Sequence, residues 1–157
     1  MRRPKTPWIA AWAMTFAVLS ALPSPAQSGP GGAFDFAASV ESLAQAAETG
    51  AGLPVGRYVV LTGTVRSAVS QEKGSFSARV ELAAGQWIGT SRIVLRTVMV
   101  EVAGDSYRDL FDRGSPSFLR PGSAVLVVAR VTGTREAPEG GRVAVLEGIH
   151  LRRLDTL

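Results

Sequence analysis

Five stretches after Arg57 alternate apolar and polar residues at period two, and this pattern constrains the fold more than any other feature of the chain. The first is Tyr58 to Arg66 (YVVLTGTVR), with Val59, Leu61 and Val65 on one face and Gly63 among them. A glycine in that place marks a bulge or a sharp bend. In the second, Phe76, Ala78, Val80 and Leu82 alternate with Ser77, Arg79 and Glu81. The third, Arg92 to Val102, sets Val94, Val98, Val100 and Val102 on one face, interrupted by Arg96. The fourth, Ser123 to Thr134, keeps Val125, Val127, Ala129 and Val131 in phase. The fifth, Arg142 to Leu151, places Val143, Val145, Ile149 and Leu151 together, with Glu147 as the exception. Ser67 to Ser75, Ala83 to Ser91 and Arg135 to Gly141 read as turns or loops between them. Gly104 to Gly114 breaks the alternation, and its Tyr107, Leu110 and Phe111 fall at helical spacing.

The order is three strands, a short helical segment and two strands. An immunoglobulin-like sandwich needs about seven strands. A parallel α/β sheet needs a helix after most strands. The expected fold is all-β: a five-stranded OB-fold-like Greek-key barrel, with a short helix between strands 3 and 4 and a further N-terminal helix. Val59 to Arg66, then Leu119-Arg120-Pro121-Gly122, Val125 to Thr134 (VLVVARVTGT) and Leu146-Glu147-Gly148-Ile149 resemble the tRNA-anticodon-binding-like OB superfamily over residues 57 to 153. The chain is also similar to exported bacterial OB-fold proteins. Both resemblances imply the barrel and a general binding role.

The N-terminal part is organised differently. Arg2, Arg3 and Lys5 precede the uncharged run Trp8 to Leu22, and small residues follow to Ala26. This is the layout of a secretory signal peptide over residues 1–26. The run is shorter than the ~20 residues of a membrane span, so none is expected in the mature chain. Residues 27–54 read as a flexible leader and a short amphipathic helix. In that helix Phe36, Val40, Leu43 and Ala47 form one stripe, Asp35 caps the start, and Gly50, Gly52 and Pro54 stop it. Residues 55–157 are the barrel domain. The expected location is periplasmic or secreted.

Composition removes several chemistries. There is no cysteine, so disulfides, thiol catalysis and cysteine zinc sites are excluded. The sole histidine, His150, lies in GIHLRRL, outside the context of the periplasmic haem chaperones, and haem attachment is set aside. Asp105, Asp109 and Asp112 share one helix face beside Arg108 and Arg113 and read as a solvated surface. No catalytic constellation, phosphate loop or dinucleotide fingerprint stands out, so a non-enzymatic protein with no metal and no cofactor is expected. The formal charge of +4 rests largely on Arg2, Arg3 and Lys5, and the remainder is near neutral.

OB-folds bind on the face of strands 2 and 3, flanked by the loops after strands 1 and 4. That places Arg66, Lys73, Phe76, Arg79, Trp87, Arg92, Arg96 and Arg135 around one surface, of which Phe76 has the phase of the core. Trp87 either stacks a ligand or plugs the barrel end, and the plug is preferred. Glu72, Glu81, Glu101, Glu136 and Glu139 can balance the arginines, so a solvated, charge-balanced face is the preferred reading there. Tyr107, Phe111 and Phe118 are assigned to the barrel bottom. The function expected is an exported binding module of the cell envelope, acting on an unknown envelope protein or small ligand. One alternative is binding of single-stranded nucleic acid or another anionic polymer, which export and the balanced charge disfavour. Another is an assembly role in an envelope complex. Sequence leaves the oligomeric state open.

Overall fold

The computed structural model describes residues 34–137 and 140–154. The signal-peptide expectation for residues 1–26 lies outside them. A short strand, β1 (Phe34–Asp35), leads into helix α1 (Val40–Thr49). Strands β2 (Tyr58–Lys73), β3 (Ser75–Ile88) and β4 (Arg92–Ala103) follow, then a 3-10 helix (Asp105–Leu110), β5 (Ala124–Glu136) and β6 (Arg142–Arg153).

The sheet closes on itself. The first half of β2 pairs with β5 and its second half with β3. Around the barrel the order is β2-β3-β4-β6-β5 and back to β2. The β4–β6 pairing is parallel, and the other barrel pairings are antiparallel. This is the five-stranded Greek-key arrangement of an OB-fold. The core is aliphatic, from Val59 and Leu61 through Val80, Leu82, Val98 and Val100 to Val127 and Leu146.

Each end of the barrel has its own closure. At one end α1 inserts Val40, Leu43, Ala44 and Ala47, all buried. Ser39 caps α1 through a reciprocal capping box with Ser42, and Gly50 ends it in the left-handed conformation (φ 72°). The helix therefore starts later than an Asp35 cap implies. Asp35 belongs to β1 and accepts from the Ala37 amide instead of capping, and Phe36 is exposed rather than part of the buried stripe. At the other end Tyr107, Leu110 and Phe111 pack on the core, and Phe111 meets Phe76 at 5.5 Å between rings. The bottom-closing role expected for Tyr107 and Phe111 is met.

Bulges explain where the alternation misleads. A shift between Val65 and Ser67 leaves Arg66 as the extra residue of β2. The outward residues of β2 thereby change from Tyr58, Val60 and Thr62 to Ser67, Val69 and Gln71. The bulge falls at Arg66 and not, as expected, at Gly63. A Cβ there would sit 3.3 Å from the Ala83 carbonyl oxygen and 3.5 Å from the Val40 side chain, so the missing side chain admits α1. In β6 a second shift makes Ile149 the extra residue. Ala144, Leu146 and Leu151 then join the core cluster, and Val143 and Val145 are buried as well. Of the expected grouping Val143, Val145, Ile149 and Leu151, the half-exposed Ile149 is the correction, and Ala144 and Leu146 are the additions.

Candidate nucleic-acid interface

The outer face of the β3–β4 pair is continuous from the barrel to a projecting hairpin tip. Register places Ser77, Arg79, Glu81, Ala83, Gly85 and Trp87 beside Ala103, Glu101, Met99, Thr97, Leu95 and Ile93. Beyond Ala83 of β3 and Val98 of β4, the two strands pair only with each other. The segments expected as loops, Ser67 to Ser75 and Ala83 to Ser91, are therefore mostly strand. Their polar and glycine residues serve ribbons that leave the core, where period-two burial no longer applies.

The tip carries an apolar platform. Trp87 is 64% exposed, and its cross-strand partner Ile93 and the neighbouring Leu95 are 51% and 64% exposed. The barrel-plug reading of Trp87 is thus corrected: α1 occupies that end, and Trp87 points away from the core. Gly85 keeps the platform low, since a Cβ there would lie 3.3 Å from Ile93.

Nearer the barrel the same face becomes a groove of about 620 Å³. Val69 and Gln71 of β2 form one wall, and Thr132 of β5 with Glu147 and Gly148 of β6 form the other. Arg79 and Glu101 line it between them. A bulge after Val131 turns Thr132 outward, and its hydroxyl donates to the Val145 carbonyl (2.9 Å). Glu101 accepts from Arg79 (3.3 Å) and forms an ion pair with Arg135 (2.9 Å). Glu147 accepts from Arg130 (2.5 Å), which raises the Arg130 pKa and holds that guanidinium charged. Of these three arginines Arg79 lines the groove, while Arg130 and Arg135 pair with its two carboxylates.

The structure separates the sequence-derived candidates. Arg79, Arg135 and Trp87 lie on the face as expected. Arg66 lies on it too, paired with Glu81 (3.0 Å). Lys73 stands beside the Gly74 turn of the β2–β3 hairpin. Phe76 is core, as its phase implied. Arg96 and Arg92 are corrections: both have the inward phase of β4. Arg96 reaches back to Glu48 of α1, and Arg92 lies across from Ile88 on the side opposite Trp87. Glu101, Glu147, Arg130, Thr132, Val69, Ile93 and Leu95 were missed as site residues. Glu147 carried a signal, being the residue that broke the apolar row of its strand.

No protein-family model matches the chain, and no curated protein matches it. Among solved structures it is similar to a small single-stranded DNA-binding protein from Streptomyces coelicolor (16% identity, TM-score 0.46, covering 62% of this chain and 94% of that one). It is similar to the Plasmodium falciparum SSB in complex with ssDNA (19%, 0.46, 62% and 94%) and to a mitochondrial single-stranded DNA-binding protein of S. cerevisiae (16%, 0.44, 62% and 93%). The fold expectation holds on the strand order and the parallel β4–β6 pairing of the chain itself. The expectation was of a periplasmic or secreted binding module of the cell envelope; the similar solved structures are instead single-stranded DNA-binding proteins, one of them mitochondrial.

Proposed function

We propose that the chain binds single-stranded nucleic acid on the outer β3–β4 face, without catalysing a reaction. One observation carries this reading: an exposed tryptophan platform runs on one sheet face into a groove lined by Arg79, whose carboxylates hold Arg130 and Arg135. Exposed apolar patches on soluble domains mark contact surfaces. Aromatic platforms beside cationic grooves suit single strands, because every base has a π-face to stack and every nucleotide a phosphate to neutralise. Arg79 and Trp87 are eight residues apart on β3, about 26 Å along a strand at ~3.3 Å per residue. That span fits a single-strand site of ~4–16 nucleotides on one OB-fold.

The near-neutral charge does not oppose this. The groove arginines sit in exposed ion pairs, which contribute only ~0–1 kcal/mol each. The names of the similar solved structures and the resemblance to the anticodon-binding-like superfamily support the same reading. The test is anisotropy of a labelled single-stranded oligonucleotide titrated with the full chain and with Trp87→Ala. Saturable binding weakened by ~1–3 kcal/mol in the variant is expected. Absence of binding, or a variant that binds as well, contradicts the assignment.

A further inference from the structure

We infer that this face selects guanine among the bases it contacts, an inference that rests on the nucleic-acid reading above. Glu101 and Glu147 are direct register partners on the parallel strands β4 and β6. Like charges opposite one another repel, so their placement needs compensation, and arginines supply it. Arg79 and Arg135 both bond Oε1 of Glu101. Arg130 bonds Oε2 of Glu147 through both Nε and Nη2. The second oxygen of each carboxylate accepts no hydrogen bond among the described residues. Both side chains line the groove and are 40% and 55% exposed.

A groove made to hold phosphates alone has no use for open carboxylate oxygens, which repel them. The arrangement does suit a base edge. A carboxylate only accepts and a guanidinium only donates. Guanine presents two adjacent donors, N1–H and N2–H, and two adjacent acceptors, O6 and N7. The donors match a carboxylate, and the acceptors match an arginine. Thymine and uracil flank their one N3–H donor with two carbonyls that repel a carboxylate. Cytosine and adenine offer a carboxylate only their single amino group, where guanine offers two donors side by side. Guanine alone combines two adjacent donors for a carboxylate with two adjacent acceptors for an arginine.

The test compares wild-type affinity for a thymine-only strand, the same strand with several guanines, and the same strand with inosine at those positions, in lithium buffer to suppress four-stranded guanine assemblies. Inosine lacks the N2 amino group. The guanine strand is expected to bind on the order of tenfold tighter than the thymine strand, with inosine between them. In Glu101→Gln/Glu147→Gln the ratio of the guanine to the thymine affinity falls towards one. Equal affinities for guanine and inosine strands, or a ratio unchanged in the double variant, overturn guanine selection. If the thymine strand binds but guanine adds nothing, selection alone fails. If neither strand binds, the nucleic-acid reading itself fails.

Discussion

The Arg96 guanidinium on β4 reaches Glu48 in the last turn of α1, and this ion pair ties the helical plug to the base of the hairpin arm. Arg96 Nε also donates to Gln86 Oε1 across the hairpin (3.3 Å). The Arg96 side chain is only 20% exposed, so removal of its partner leaves a poorly solvated charge. Glu48→Ala is expected to destabilise the fold by about 1 kcal/mol. A urea-denaturation cycle with Arg96→Ala measures the coupling. Purely additive effects would show that the pair does not join the two elements.

Leu43 is the fully buried centre of the plug. Leu43→Ala leaves a cavity under α1 and is expected to cost ~2–5 kcal/mol. A thermal or urea unfolding curve reads this directly. A cost below 1 kcal/mol would mean α1 is not part of the folded barrel.

Gly148 is where β6 crosses the core valines. A Cβ there would lie 2.6 Å from Val102 Cγ1 and 3.0 Å from Val100 Cγ1. Gly148→Ala is expected to destabilise by about 1–3 kcal/mol through overpacking. Val102→Ala in the same chain should recover part of that loss, and a double variant no more stable than Gly148→Ala would contradict the clash.

Tyr107 donates its hydroxyl proton to the Ile149 carbonyl (2.6 Å), and burial raises its pKa from the ordinary 10.0. The raised value favours the protonated phenol in the fold. Its contribution is therefore complete below pH 10.0 and is lost as pH rises through the folded value. Unfolding midpoints across the alkaline range should fall more steeply for the wild type than for Tyr107→Phe. Parallel slopes would remove Tyr107 as the cause.

Much of the barrel was legible because its strands bury alternate residues: Val125, Val127, Ala129 and Val131 kept phase from sequence to structure. The pattern failed where chain geometry, not residue type, decides the face. Arg66 and Ile149 are extra residues in their strands, and nothing in their chemistry announces a bulge. Trp87, Ile93 and Leu95 sit on a ribbon beyond the core, where apolar residues turn outward and periodicity reports nothing about burial. The arginines of the site were visible as residue types. Arg96 already interrupted the inward row of its strand, but its partner Glu48 on α1 was not legible, and Glu101 looked like mere charge balance until β6 set Glu147 beside it.

The central claim is that one face of this barrel binds single strands. Competition measures it most directly: a labelled single-stranded oligonucleotide bound to the full chain is displaced by unlabelled single strand or by duplex of the same sequence, at low and at moderate salt. Displacement by single strand is expected at far lower concentration than by duplex, with affinity falling with salt at a log–log slope of about −0.7 per phosphate neutralised. Equal displacement by duplex, or no saturable binding at low salt, would contradict it.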